Sequence, residues 1–470
     1  MNARPVRGDG SYVLYWMTAA RRASWNFALD AAAGWARELR KPLLVLEALR
    51  CDYPWASDRH HTFVLDGMRD NADAFERRGI RYFPYVETSP GEGKGLLAAV
   101  AANASVVITD DFPAFIIPAQ ADAAARQLDV RLEQVDGNGL LPMRATTQVF
   151  PTAYAFRRFL QKTLASHLSA DPARDPLRSL PRDTIPIPAT ITQRWKPGIP
   201  SRVSHLPIDH AVPPTARRGG TRAARAQLAS FIRSGLPRYI DSRRDSNREA
   251  TSGLSPYLHF GHIGVHEVFA TVMRHAGWLG HVPTRGSGTK AGWWGVDPAV
   301  EAFLDELITW RELGFNMCAH RPDYGRYESL PDWARATLRA HLRDPRPHRY
   351  TRAAFESANT HDPIWNAAQE QLVRDGRIHP YLRMLWGKKV LEWTRSPREA
   401  LEILIDLNNK YALDGRDPNS YSGIFWVFGR YDRPWPERPI FGTVRAMSST
   451  NTARKMGMLP GQRAKGKGQR

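Results

Sequence analysis

The chain has 470 residues and is strongly basic, with 66 Lys and Arg residues against 47 Asp and Glu residues and a net charge of +19. This length indicates two domains, and the charge favours a polyanionic partner, foremost nucleic acid, since no long apolar run or basic amphipathic helix supports binding to a membrane. The two cysteines, Cys51 and Cys318, exclude a disulfide framework and a cysteine-rich metal site.

The first 150 residues alternate between predicted strands and helices. The segment YVLYWM at 12–17 predicts a buried strand, a helix follows over 24–39, and PLLVLEAL predicts the second strand. The pattern repeats through RYFPYVE and SVVITDD, which indicates a doubly wound, mostly parallel α/β sheet. Neither G-x-G-x-x-G nor G-x-x-x-x-G-K-[ST] follows the first strand, so this domain shows no sequence signature of a nucleotide-phosphate site.

Proline is dense after this region. Ten prolines fall between positions 171 and 215, and each removes a backbone donor and restricts a dihedral angle. Regular helix is therefore disfavoured, and we predict a long linker wrapped on the surface. The predicted division is an α/β domain over 1–150, a linker over 151–220, a helical domain over 221–458 and a basic tail over 459–470.

A helix start follows the linker. Ser255 is the candidate N-cap and Pro256 the first helical residue, and Thr251, Ser252 and Gly253 come directly before them. Hydroxyl groups, exposed N–H groups and the helix dipole would suit a pyrophosphate. A capped helix without a ligand explains the same pattern.

The segment FLDELITWRELGFNMC predicts a helix with Glu306, Trp310 and Leu313 on one face, at i, i+4 and i+7. An indole can stack on an unpaired base while a carboxylate hydrogen-bonds to it, so this face could line a base pocket. A solvated glutamate beside a core tryptophan is an equal alternative. Upstream, the glycine-rich stretch 284–296 predicts a flexible, exposed loop in which Trp293 and Trp294 pack together.

Two more helices are predicted further on. Trp386 and Trp393, seven residues apart, lie on nearly the same face of the first helix. Ser396 and Pro397 mark the start of the second helix as N-cap and first helical residue, and Glu399 is placed to complete a capping box.

Polar residues on these helices form another candidate group. Arg383 precedes Trp386 by one turn, while Asn408 and Asp414 come from the second helix and the turn after it. The two helices are expected to bring Arg383, Asn408 and Asp414 towards one another. Core tryptophans and a buried Arg383–Asp414 ion pair would explain the same pattern without a ligand.

These segments resemble a known family. HPYLRMLWGKKVLEWTRSPREALE, LNNKYALDGRDPN and DRPWPERPIFGTVRAMS closely resemble the C-terminal flavin-binding region of class II cyclobutane pyrimidine dimer photolyases. YVLYWMTAARRASWNFAL, TSGLSPYLHFGHI and FLDELITWRELGFNMC extend the resemblance, in order, over nearly the whole chain. The resemblance implies an α/β doubly wound N-terminal domain and an all-α C-terminal FAD-binding domain, joined by the proline-rich linker. It also implies light-driven repair of cyclobutane dimers in DNA by electron transfer from photoexcited, reduced anionic FAD.

The resemblance implies roles for individual residues. The family's lesion pocket matches Glu306, Trp310, Met384 and Trp426. Its electron-transfer chain matches, from flavin to surface, Trp386, Trp365 and Trp393. Its FAD contacts match Tyr239, Thr251, Ser252, Gly253, Leu254, Ser255, Arg311, Arg383, Asn408 and Asp414, with Asn419 as the reserve for Asn408.

The C-terminal region interleaves arginines with aromatic residues, which is typical of a nucleic-acid surface. The candidate DNA contacts are Arg430, Arg433, Arg438 and Arg445. A solvated arginine face is the alternative. By the resemblance, Arg433 lies in the loop that fills the hole left when the lesion leaves the duplex.

The chain departs from the family pattern at three positions. Pro380, Leu385 and Gly387 replace a common glycine, aromatic residue and alanine. In the family the N-terminal domain can carry an antenna chromophore, and nothing in this sequence identifies one. We expect a cytoplasmic, DNA-associated monomer without a metal site. A cryptochrome-like flavin photoreceptor without repair activity and a flavin-free DNA-binding protein are the two alternatives.

Overall fold

The structure, a computed structural model, describes residues 1–182, 184–185, 187–242, 251–283 and 286–457. The chain forms two compact units that each combine separate stretches of sequence. The first unit comprises Met1–Thr147, Leu160–Ala229 and Gly253–Arg285. The second unit comprises Gln148–Phe159, Ser230–Ser252 and Gly286–Arg470.

The first unit is built on a five-stranded sheet in the order β3-β2-β1-β4-β5. The strands are β1 (Tyr12–Met17), β2 (Leu43–Leu49), β3 (Arg81–Val86), β4 (Ala104–Asp111) and β5 (Leu132–Asp136). All four pairings are parallel, and Tyr15 of β1 lies opposite Val45 on one side and Ile108 on the other. Buried clusters cover both faces, which is why the central strands are almost uniformly apolar. The predicted parallel α/β domain is confirmed.

Helices make up most of the remainder. In chain order they are α1 (Phe27–Leu39), α2 (Asp58–Arg77), α3 (Leu96–Ala101), α4 (Ile117–Gln127), α5 (Ala153–Thr163), α6 (Ala189–Arg194), α7 (Thr221–Ser230), α8 (Tyr239–Ser242), α9 (Ser255–His259), α10 (Val265–His275), α11 (Pro298–Leu304), α12 (Arg311–His320), α13 (Asp332–Ala340), α14 (Arg352–Glu356), α15 (Pro363–Asp375), α16 (Pro380–Trp393), α17 (Pro397–Tyr411), α18 (Pro418–Val427) and α19 (Ser449–Lys455). Two π-helical turns, Phe231–Gly235 and Asp305–Trp310, interrupt this series. The helical character predicted for the C-terminal region is confirmed.

The predicted linker, 151–220, requires correction, because most of it packs into the first unit. Ile191 and Trp195 are buried in a core cluster of the sheet. The Trp195 indole N–H donates to the Glu92 carbonyl at 2.9 Å, and the Gly198 N–H donates to the Pro84 carbonyl at 2.8 Å. Proline restricts the backbone but leaves neighbouring apolar side chains free to cover the sheet.

The predicted start of the helical domain at 221 also requires correction. The segment with α9 and α10 belongs to the first unit, where Tyr257 and Phe260 pack on Phe63 with ring centroids 5.4 and 5.2 Å apart. These aromatic contacts join stretches that are distant in sequence. A single domain boundary at one position of the chain therefore cannot describe the first unit. The predicted basic tail, 459–470, lies outside the described residues.

The glycine-rich stretch 284–296 differs from the exposed loop that was predicted, although its first two positions are not described. Trp293 and Trp294 do pack together, edge to face at 4.6 Å, but both are buried. The Glu301 carboxylate accepts the N–H groups of Trp294 and Gly295, each at 3.0 Å. A buried carboxylate therefore anchors this loop, since it satisfies several backbone donors at once.

The helix start predicted around Ser396 is confirmed. The Ser396 side chain accepts the Glu399 N–H at 3.2 Å, and Pro397 is the first helical residue of α17. The Glu399 carboxylate reaches back to the N–H of Arg395 at 3.0 Å, one residue before the N-cap. The reciprocal contact of the capping box is therefore displaced by one residue.

Candidate active site

Glu306 and Trp310 lie on the π-helical turn between α11 and α12. The turn is defined by a hydrogen bond from the Arg311 N–H to the Glu306 carbonyl, five residues earlier. Glu306 is exposed and Trp310 is half-buried, whereas Leu313 is fully buried. The predicted single face for these three residues is wrong, because the wider turn changes the helical phase and rotates Leu313 into the core. Such turns occur frequently at functional sites.

Trp310 stacks on Trp426 of α18. The two ring centroids are 4.5 Å apart, and the ring planes differ by 13°. Gly314 permits this approach, since a Cβ there would lie 2.9 Å from the Cα of Asn419 at the start of α18. The pair forms one half-buried aromatic platform, Trp310 and Trp426, on which a flat base can stack. Met384, the other predicted wall residue, is half-buried on α16.

Arg383 and Asp414 form the ion pair that the sequence predicted, with Nη2 and Oδ1 3.1 Å apart. Asn408 is 2% exposed, and its amide nitrogen donates to the Ser420 hydroxyl at 2.6 Å. Asn419, the reserve candidate, is exposed. The structure thus joins Arg383 to Asp414 and places Asn408 in the seam between α17 and α18.

Arg383 also has an unsatisfied donor. Its Nε is buried and has no hydrogen-bond partner among the described residues. A buried charged donor without an acceptor is costly, and a bound group that accepts a hydrogen bond would remove that cost. A polar ring edge, such as that of a flavin, fits this requirement.

The three predicted relay tryptophans form a contiguous buried series. The Trp365 indole N–H donates to the Trp386 carbonyl at 3.0 Å. The rings of Trp365 and Trp393 lie 6.0 Å apart at 65°. Sequence reasoning missed Gln369, whose side-chain oxygen accepts the Trp386 indole N–H at 2.9 Å. It also missed Phe355, packed 5.2 Å from the Trp365 ring.

The other predicted cofactor contacts are placed as follows. Tyr239 is buried, with its ring edge-on to Phe231 and Phe303 at 5.9 and 5.8 Å. Arg311 is buried, with its guanidinium 4.4 Å from the centroid of the Phe315 ring.

The residues before α9 divide between the units. Thr251 and Ser252 belong to the second unit, and Gly253, Leu254 and Ser255 to the first. Gly253 adopts a φ of +63°, which favours glycine. Ser255 is the first residue of the helix and Leu254 its N-cap, so the predicted serine cap is displaced by one residue.

The predicted DNA-contacting arginines do not all reach the surface. Arg433 and Arg438 are exposed, and Arg445 is half-buried with its guanidinium 5.3 Å from the centroid of the exposed Trp435 ring. Arg430 is a correction. It is 5% exposed, its guanidinium donates to the Ser329 carbonyl, and burial lowers its pKa.

The loop that carries the exposed arginines is anchored to the end of α13. His341 contacts Asp344 through Nδ1 at 2.7 Å and Glu437 through Nε2 at 2.8 Å. The Ile440 N–H also donates to Asp344 at 2.7 Å. Hydrogen bonding to Asp344 is the main cause that raises the pKa of His341. The His341 ring therefore links the loop to the helical body through its two carboxylate partners.

A buried lysine lies next to the aromatic series. Lys388 is fully buried on α16, and its ammonium donates to the Val427 carbonyl at the end of α18. Burial lowers the pKa of Lys388 to about 7. None of the helices in the described ranges combines the length and apolar character that crossing a membrane requires.

Comparisons with known proteins agree with this arrangement. The DNA photolyase family model matches residues 13–179. A deoxyribodipyrimidine photo-lyase of Methanothermobacter thermautotrophicus is 35% identical over 446 residues, which cover 95% of this chain and 92% of that protein. A Synechocystis cryptochrome superposes with a TM-score of 0.71 at 14% identity, covering 97% of this chain and 88% of the other. A class III photolyase of Agrobacterium tumefaciens gives 0.68 at 18% identity, covering 95% and 84%. These structural matches show the shared fold.

Proposed function

The chain belongs to the photolyase/cryptochrome family, and from that premise we propose that it repairs cyclobutane pyrimidine dimers in DNA by light-driven electron transfer from bound, reduced FAD. The single observation that carries the proposal is the π-helical turn that bears both the exposed Glu306 and Trp310, whose ring stacks on Trp426. A carboxyl group next to stacked indoles offers both a hydrogen bond and a flat apolar surface, which a flipped-out pyrimidine pair requires.

FAD, when bound, supplies the photochemically driven electron. Arg383, with Asp414, would hold it, since the buried Nε of Arg383 requires an acceptor. Asn408, fixed through Ser420, is the further candidate contact. A guanidinium near the ring favours the reduced anionic form of a flavin, because opposite charges attract most strongly away from water.

The protein's own residues act on the lesion by binding and charge stabilisation. Trp310 and Trp426 stack on the extruded pyrimidines and exclude water from one side. Glu306, as the protonated carboxylic acid, donates a hydrogen bond to a pyrimidine carbonyl and stabilises the negative charge that develops there during ring splitting. Extrusion costs a few kcal/mol, and less for a lesion whose pairing is already weakened.

Trp386, Trp365 and Trp393 serve a separate task in this proposal. The Trp365 and Trp393 rings are in contact, and the Trp365 indole is hydrogen-bonded to the Trp386 backbone, so the three buried residues provide a route by which electrons from the surface can reduce a resting oxidised flavin. Repair itself does not require the route once the flavin is reduced.

The basic loop is the proposed DNA-binding element. Arg433 and Arg438 are exposed beside Trp435, a combination that suits phosphates and an unpaired base. Replacing one arginine that binds a phosphate should reduce the salt dependence of DNA binding by about one counterion.

The deciding experiment measures loss of cyclobutane dimers from an irradiated duplex oligonucleotide in light and in darkness, with purified protein that carries reduced FAD. We expect repair in the light only, and Glu306→Ala should lower the rate at saturating DNA by about 10-fold or more, because it removes the hydrogen-bond donor. Glu370→Ala is the matched control, since Glu370 is an exposed glutamate of the same unit on α15.

Two results would contradict the proposal. Purified protein without flavin absorption would indicate a flavin-free DNA-binding protein. Bound flavin with dimers that persist in the light would indicate a photoreceptor of the same fold.

A further inference from the structure

The segment Gln148–Phe159, here called the brace, belongs to the second unit, although Leu160–Ala229 of the first unit separates it from the rest of the second along the chain. The brace carries Arg157, which is 4% exposed. The guanidinium binds both carboxylate oxygens of Asp305, with Nε to Oδ1 at 2.7 Å and Nη2 to Oδ2 at 3.0 Å. Asp305 is the first residue of the π-helical turn and the neighbour of Glu306.

A second contact holds the brace beyond the turn. Asn316 of α12 is 5% exposed, and its amide nitrogen donates to the Gln148 carbonyl at 2.9 Å. Its side-chain oxygen accepts the Phe150 N–H at 3.3 Å. Phe150 in turn packs on Phe156 at 5.2 Å. The brace therefore contacts the first residue of the π-helical turn through Arg157 and the helix after that turn through Asn316.

A bidentate arginine–carboxylate pair restricts rotation more than a single hydrogen bond does. Two parallel N–H···O bonds fix the plane of the Asp305 carboxylate relative to the brace. Glu306 follows directly on the same backbone, so the direction of its side chain depends on how that turn is held. A π-helical turn is rare and needs such tertiary support.

We propose that Arg157 is a positioning residue that acts through Asp305 to aim Glu306 at the substrate. This inference rests on the proposed function, because it assigns Glu306 its role in repair. Arg157 is buried and paired with Asp305, and in this proposal it acts on the substrate only through Glu306. A purely structural ion pair would hold the helix in place without any link to Glu306.

The test is a double-mutant cycle in the full-length, FAD-loaded protein. Arg157→Met removes the pair, and Arg158→Met is its matched control, because Arg158 is the exposed neighbour on α5 with the same charge. We expect Arg157→Met to lower the repair rate at saturating DNA by about 10-fold to 100-fold, since small displacements of a catalytic group cost this much. The affinity for dimer-containing DNA should change little.

In the Glu306→Ala background, Arg157→Met should lower the rate by no more than about 2-fold, because the group that it positions is already removed. An equal fall in rate in both backgrounds would overturn the proposal. Asp305→Asn serves as the second variant if Arg157→Met does not fold, and we expect from it the same pattern of rates.

Hydrogen exchange tests whether Arg157 and Asp305 hold the π-helical turn, and this test does not depend on repair activity. The Arg311 N–H closes the π-type hydrogen bond to Glu306, so we expect its exchange to accelerate in Arg157→Met and in Asp305→Asn but not in Arg158→Met. Unchanged exchange in both would overturn the inference even in a repair-competent enzyme. Accelerated exchange in a protein without light-driven repair would instead locate the failure in the proposed function.

Discussion

Gly387 allows α16 and α18 to cross closely, and Gly387→Ala is the substitution that tests this packing. A Cβ at position 387 would lie 2.5 Å from Cγ2 of Val427 and 3.4 Å from its Cγ1. Carbon atoms prefer separations of about 3.5–4.0 Å, so α18 must move by about 1 Å. Lys388, the next residue, holds the Val427 carbonyl, and that hydrogen bond resists the movement.

The expected cost follows from opposing terms. Overpacking of this kind costs about 1–3 kcal/mol, while alanine is favoured over glycine in a helix by about 1 kcal/mol. We therefore expect Gly387→Ala to destabilise the protein by up to about 2 kcal/mol net. Trp426 precedes Val427, so the same movement should displace its ring from Trp310 and lower the repair rate.

Urea unfolding of the FAD-loaded protein measures the change in stability. The rate of dimer repair at saturating DNA measures the effect on the Trp310–Trp426 platform. The double variant Gly387→Ala with Val427→Ala should recover the repair rate, because it removes the clashing methyl groups. Val427→Ala alone is the control for the cavity that this truncation leaves. The reasoning is refuted if Gly387→Ala is more stable than the wild type, or if the double variant repairs no better than the single one.

Three further outcomes are expected. Trp386→Phe should block photoreduction of oxidised flavin yet leave repair intact after chemical reduction, so loss of both would contradict the relay role. Burial lowers the pKa of Lys388 in the folded protein to about 7, whereas its ordinary pKa of 10.5 applies in the unfolded chain. Between these two pH values the unfolded chain binds more protons than the folded protein, so the free energy of unfolding rises with pH. Lys388→Met should abolish this rise, of up to about 4 kcal/mol between about pH 7 and pH 10, in urea titrations. The raised pKa of His341 gives the opposite dependence of stability on pH. Pairing with Asp344 and Glu437 stabilises the loop fully below the ordinary pKa of 6.5, and this stabilisation disappears as the pH rises through the pKa of His341 in the folded protein. DNA affinity should therefore fall with rising pH above that range, and Glu437→Gln should move the midpoint to lower pH; a pH-independent affinity would contradict this link.

The three departures of this chain from the family pattern all lie on α16. Gly387 faces Val427, which explains why an alanine does not fit there. Leu385 is fully buried, and Pro380 is the first residue of the helix. Proline suits a first helical position, because its missing N–H would have no intrahelical partner.

The contacts of the candidate site differ in how far sequence could predict them. The Arg383–Asp414 pair was predictable, because it comes from one helix and from the turn that ends the next helix in the chain. Arg430 was misassigned to the DNA surface, because an arginine among aromatic residues has the same sequence pattern whether it is exposed or buried. Only the packing against Ser329 distinguishes the two cases.

The sequence by itself determined the elements that depend on local periodicity and chemistry. Alternating apolar strands and helices specified the parallel sheet, Ser396 and Pro397 specified the start of α17, and the ordered motifs identified the family. Tertiary structure alone decided the π-helical turn that turns Leu313 inward, and the pairing of Arg157 with Asp305 across 148 residues. The physical reason is that periodicity records which side of an element is apolar, whereas partners between distant segments depend on how several elements pack at once.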